Sequence, residues 1–285
     1  MIFKVLAPVV ITSLPILISN PKFNLNYKSL LFKREGQLVP VDSMVESSIE
    51  EVFTRLIGLK FRNENQWNRE KSYFQFNYTK SDCLIASGSI WLEKCSLGLP
   101  YNVSFTRLEE AIELLEINGF YLDWKSPENL EIASTYLLSE LSKQFIIAQG
   151  VCLLWNKKTL PLNLLVNGIL SAMFVITYRT SQPMAVKSTL LAVLICGVFI
   201  MSSMVNSIAD SESIDEALTL NDQYLDGAIE FYQKILRRHE LIESRTNNQS
   251  NTFMKVTQLS ENNLARQTLD YLLEEKAKRK NQKNS

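Results

Sequence analysis

Two long uncharged runs dominate the pattern of apolar and polar positions. Residues 160–178 read LPLNLLVNGILSAMFVITY and residues 188–209 read STLLAVLICGVFIMSSMVNSIA, with no Asp, Glu, Lys or Arg in either. A helix needs about 20 such residues to cross about 30 Å of hydrocarbon, so each run is long enough to span a bilayer. Asn163, Asn167, Asn206 and several Ser and Thr interrupt them. Such groups can bond along a helix or to a neighbour at far lower cost than a charge. Ser181-Gln-Pro183 between the runs suits a turn. The pattern predicts a transmembrane helical hairpin over 159–209. Gly168 and Gly197 are expected to let its two backbones pack closely. The competing reading is a buried helical pair in a soluble protein, and two consecutive runs of this length favour the membrane.

Residues 5–19 are also apolar, but the stretch is shorter and holds Pro8 and Pro15. No convincing small-x-small cleavage site follows it, so residues 1–20 are expected to be an uncleaved apolar membrane segment.

From 21 to 158 the periodicity is that of a soluble α+β domain. Val45, Ile49, Val52, Phe53, Leu56 and Ile57 share one helical face, behind a capping box of Ser43 and Glu46 and ahead of a stop at Gly58. Residues 72–79 alternate aromatic and polar as a half-buried strand does, and 83–92 and 98–105 predict further strands. Thr106 and Glu109 predict a second capping box, with a helix to Gly119 and a strand at 120–122. Ser126 as N-cap and Pro127 in the first helical position open a helix whose apolar positions run from Leu130 through Ala148 towards Trp155. Beyond the hairpin, Ile214, Ala217, Leu218, Leu225, Ala228, Ile229, Tyr232 and Leu236 predict an amphipathic helix over 213–243. A shorter helix is expected within 259–275, completing a C-terminal helical segment over 210–275. The charged residues 276–285 read as a disordered tail.

Composition narrows the chemistry. Apolar residues make up 46% of the 285, an ordinary soluble value, so the membrane signal is local. Thirty basic residues balance thirty acidic ones, which leaves no electrostatic footprint for nucleic acid. Four scattered cysteines do not make a disulfide framework and read as reduced packing residues. The one histidine, His239, begins His-Glu-Leu-Ile-Glu; a zinc peptidase helix would need a second His where Glu243 stands. No glycine-rich phosphate loop or nucleophile elbow occurs. The expectation is a chain without catalytic residues, cofactor, metal or small-molecule substrate.

Two segments carry a resemblance. One is Leu122-Asp-Trp-Lys-Ser-Pro127 with Lys143-Gln-Phe-Ile-Ile-Ala148; the other is Tyr224-Leu-Asp-Gly-Ala-Ile-Glu-Phe-Tyr-Gln-Lys-Ile-Leu236. In this order around two spans they resemble the transmembrane protein 177 family of animal mitochondria, with its D-W-R/K-S-P junction and G-x-x-E-F-Y-x-K helix. Gly98-Leu-Pro100 is similar to the family's G-I-P turn, and Ala228 stands where the family can have a second glycine. The resemblance implies an integral protein of the mitochondrial inner membrane. It further implies a non-enzymatic factor that supports cytochrome c oxidase subunit 2 through that subunit's membrane chaperone. Read from the residues themselves, Asp123, Trp124, Ser126 and Pro127, with Gly227, Glu230, Phe231 and Tyr232, form a structural or partner-contact motif. In it Gly227 permits close approach and the aromatics either pack the core or line an interface. The architecture expected is therefore an α+β membrane protein: a small mixed domain, a membrane hairpin and C-terminal amphipathic helices. A secretory-pathway membrane protein and a membrane-bound enzyme are the alternatives.

Overall fold

A computed structural model describes residues 31–34, 37–60, 64–79, 84–89, 93–117, 122–155, 189, 193, 197, 208–246 and 252–284. Two short strands, β1 (Lys33–Arg34) and β2 (Gln37–Leu38), pair antiparallel ahead of α1 (Ser43–Lys60). The cap of α1 is Asp42 rather than Ser43: Asp42 Oδ1 accepts the Val45 N–H at 2.9 Å, and its Oδ2 accepts the Tyr78 hydroxyl at 2.7 Å. One carboxylate thus caps a helix and ties it to a strand, which the neighbouring serine cannot do. The predicted face of α1 is buried, and the helix runs past Gly58 to Lys60.

A short helix that the periodicity missed, α2 (Glu64–Lys71), precedes a three-stranded sheet of β3 (Phe74–Thr79), β4 (Ile85–Ser89) and β5 (Lys94–Pro100). The strand order is β3-β5-β4, with β5 central, parallel to β3 (Phe74 opposite Cys95) and antiparallel to β4 (Ile85 opposite Gly98). β5 starts four residues before the predicted strand and gives way at Tyr101–Ser104 to a 3-10 turn. Its residues Cys95 to Pro100 are buried, as a central covered strand requires. Burial pushes the Cys95 thiol up to about 12, which suits a packing role.

Helix α3 (Leu108–Ile117) begins with Glu110, not Glu109, reaching back: its Oε2 accepts the N–H of Thr106 at 2.6 Å and of Arg107 at 3.0 Å. Residues 118–121, which include most of the predicted strand at 120–122, lie outside the described residues, and Leu122 is irregular. Ser126 and Pro127 do start a helix, α4 (Pro127–Ser134), although no cap bond reaches the Ser126 side chain. The expected continuous helix is instead two. After Ser134 the chain turns, and α5 (Glu140–Trp155) restarts with Ser139 Oγ accepting the Ser142 N–H at 3.2 Å. Thr135 Oγ1 donates to Ile132 O at 2.6 Å and Ser134 Oγ to Glu131 O at 2.7 Å, the local bonds by which Ser and Thr compete with a helix ladder.

α5 is buried nearly all round, between the sheet, α1 and the C-terminal helices. Residues 208–220 form α6, and α7 (Tyr224–Thr246) follows a break in which Asn221 Oδ1 accepts the Gln223 N–H at 3.0 Å. One predicted helix is again two. The last helix, α8 (Thr252–Asn284), overturns the expectation of a disordered tail over 276–285. Lys276 pairs with Asp226 at 2.7 Å, Arg279 with Asp222 at 3.0 Å, and Leu272 and Ala265 are buried. One apolar core joins α1, the sheet, α3, α4, α5, α6, α7 and α8, so the predicted domain at 21–158 and the segment at 210–275 fold together.

Among the described residues no helix is long and apolar enough to cross a membrane. The segment 1–20, Gly168 and most of the predicted hairpin at 159–209 lie outside the described residues. Thr189, Val193 and Gly197 are helical, and Val193 is 62% exposed.

Candidate binding site

The motif residues separate into two places. At the first, Asp123 Oδ1 accepts the Lys125 N–H at 3.1 Å, and Asn129 donates to the Asp123 carbonyl at 2.7 Å, fastening the start of α4. Trp124 lies partly buried against the core and donates its indole N–H to Glu116 at 2.8 Å. This junction packs α3 against α4.

The second is the crossing of α5 and α7. A Cβ on Gly227 would lie 2.5 Å from both C and O of Leu141, so the backbones meet at close approach there. Glu230 caps α5 from the facing helix: it accepts the Ser139 N–H at 3.0 Å, the Ser142 hydroxyl at 2.8 Å and the Ser139 hydroxyl, and pairs with Lys234 at 2.6 Å. Burial works to raise the Glu230 carboxyl, but bonds from Lys234, Ser139 and Ser142 outweigh it and hold the group at about 2. About two turns on from Glu230, Arg238 is 1% exposed, donates to the Thr135 carbonyl at 2.9 Å and lies 3.6 Å over the Tyr136 ring, clamping the turn between α4 and α5. Lys143, buried on α5, donates to the Phe105 carbonyl at 2.9 Å. His239, the catalytic alternative, is half-buried with Nδ1 against Asn262 Oδ1 of α8. No cluster of His, Cys, Asp and Glu among the described residues could hold a metal ion.

Phe231 and Tyr232 face elsewhere, their rings edge-to-face at 5.2 Å, and line a mostly apolar cavity of about 390 Å³. Gln149 and Leu153 of α5, Asp210 and Ile214 of α6, Ile235 of α7 and Ala265 of α8 are among its other walls. Burial alone raises the Asp210 carboxyl to about 6. Tyr271, also on the wall, gives its hydroxyl to Asp215 and is pushed up to about 12, by that bond first and burial second. Sequence reading found the aromatics but neither Asp210 nor Gln149. The available signal for Asp210 was its place as the first charge after an uncharged run.

With both motif segments placed on facing helices, comparison with known proteins bears out the resemblance they suggested. The chain is similar to transmembrane protein 177 of Xenopus laevis. The two are 26% identical over 185 residues, 59% of this chain and 59% of the relative. The matched stretch thus spans about three fifths of that relative's length. No family model matches the chain, and no solved structure matches it. The similarity points to a membrane protein. Among the described residues, nothing lies within 4 Å of a Cβ added to Gly197; Gly168, its expected partner, lies outside them.

Proposed function

We propose that this chain is a non-enzymatic assembly factor of the mitochondrial inner membrane, supporting the biogenesis and stability of cytochrome c oxidase subunit 2 through its membrane chaperone. The observation that carries this reading is the convergence of the two resembling segments. Lys143 to Ala148 on α5 and Tyr224 to Leu236 on α7 come from opposite sides of the uncharged runs, yet their helices pack on each other through Gly227 and Glu230. Such a crossing makes a rigid base for a lipid-solvated hairpin. Apolar Val193 and Ile208 are 62% and 52% exposed, as lipid-facing positions are in the absence of lipid. In this reading the spans hold the client or its chaperone by small-residue helix contacts, while the folded domain steadies the assembly.

Gly197 offers a direct test. Among the described residues nothing lies within 4 Å of a Cβ added at Gly197, so in this reading Gly197→Leu fills a helix face that a partner helix would use. The variant should fractionate with mitochondrial inner membranes, resist alkaline carbonate, and lose co-purification with subunit 2 and its chaperone. Unchanged recovery of those partners would count against the scaffold role, and release by carbonate would sink the membrane reading itself.

A further inference from the structure

Two of the polar groups on the cavity walls, Gln149 and Asp210, are the least exposed of those that the fold does not use. Gln149 is 7% exposed, and among the described residues no hydrogen bond reaches its amide. Nor does any hydrogen bond or ion pair reach the Asp210 carboxylate there. Both line the same space, one from α5 and one from α6, with Leu153, Ile214, Phe231 and Ile235 around them. The Gln149 side chain is buried and Asp210 is half-buried, so the polar atoms of both open onto the cavity, where a ligand's donors could complete them. A volume of about 390 Å³ falls in the range of small-molecule sites, as does an apolar lining with a few converging polar groups.

The walls decide the ligand's chemistry. Among the described residues no Lys, Arg or His lines the cavity, so an anion would meet Asp210 without compensation from them. A neutral alcohol could satisfy Gln149 and leave the carboxylate without a counter-charge. An ammonium group satisfies both, since it carries several donors and its positive charge faces an acid and an amide oxygen. The remaining titratable groups on the walls are phenols, Tyr232 of α7 and Tyr271 of α8, the latter already bonded to Asp215. We propose that this cavity binds an amine carried on an apolar body, with the ammonium on Asp210 and Gln149 and the body among Leu153, Ile214, Phe231 and Ile235. The proposal is independent of the oxidase-assembly reading. The amine can come from a free amphiphilic amine or from an ethanolamine phospholipid.

The test uses the full chain in nanodiscs of phosphatidylcholine, which has no primary amine, and photoreactive hexylamine, hexanol and hexanoate probes. Adducts are mapped by mass spectrometry. At pH 7.5 the amine should label peptides of α5, α6 and α7 about tenfold more than the carboxylate does, the worth of one charge-assisted hydrogen bond. Asp210→Asn should abolish that preference, and Gln149→Leu should weaken it, in proteins that melt no lower than the unsubstituted chain. At pH 5 the preference should shrink as Asp210 takes up a proton. Adding ethanolamine phospholipid then separates the sources: competition assigns the site to the lipid head, and unchanged labelling assigns it to a free amine. Equal labelling by all three probes, or a preference indifferent to both substitutions, would overturn the proposal.

Discussion

Replacing one hydrogen of Gly227 by a methyl would set a carbon 2.5 Å from the backbone of Leu141, and backbone cannot swing aside as a side chain can. Gly227→Ala should therefore cost about 1–3 kcal/mol, read as a lower denaturant midpoint with unchanged slope. Asp210 behaves in the opposite sense. Its carboxyl is raised to about 6 from an ordinary value near 3.9, so the folded state binds a proton more readily than the unfolded one between those pH values. Its contribution is neutral below about pH 4, turns destabilising as pH rises towards 6, and is constant above. Asp210→Asn should raise the melting temperature at pH 7.5 and leave it unchanged at pH 4; equal effects at both would contradict the burial. Glu230 has the reverse sign, held at about 2, so the stability it lends is complete above about 4.3 and is lost as pH falls towards 2. Gly227 was legible in the sequence because a lone glycine inside a strong helical pattern implies close approach. Asp210 and Gln149 were not, because their meaning depends on walls drawn from α5, α6, α7 and α8.

Among the elements, what periodicity hid was where helices stop. Ala133, Leu137, Phe145 and Ala148 keep helical spacing across the turn at Thr135 because α4 and α5 both face one core, and the same holds for α6 and α7 across Asn221. The breaks are set by hydroxyl and amide side chains taking backbone bonds, and by Arg238 gripping the first turn from outside. Arg238→Lys keeps the charge but loses the flat stack on Tyr136 and the fork on Thr135. It should destabilise by about 1–3 kcal/mol, measured by chemical denaturation, and a null result would show that the clamp is incidental. The misjudged tail has a different cause. Residues 276–284 are polar and look like a solvated run, yet they extend a helix already anchored at Ala265 and Leu272 and steadied by Asp222 and Asp226. Leu272→Ala should cost about 2–5 kcal/mol if this anchoring is right.

At the scale of the whole molecule, the boundary drawn at residue 158 divides the sequence but not the core. The mixed character of the domain and the return of the C-terminal helices were legible from alternating strands and amphipathic spacing. The parallel pairing of β3 with β5 was not, because register between distant strands leaves no local mark. Residues 21–158 expressed alone should leave Phe145, Ile146 and Val151 without the cover that Tyr224, Ala228, Phe231 and Ile235 belong to. That fragment should give collapsed amide resonances, whereas the same residues in the full chain should give dispersed ones; a well-dispersed fragment spectrum would overturn the shared core.

A shared core also constrains the order of events during synthesis. The ribosome releases α1, the sheet and α5 long before α7 and α8 exist, so the first half waits unfinished while both uncharged runs are still emerging. On the proposed membrane reading, threading those runs into lipid comes first, and closure of the domain afterwards. A nascent chain stalled before residue 224 would therefore be membrane-bound yet protease-sensitive, and completion of the last helices would be the step that makes it resistant.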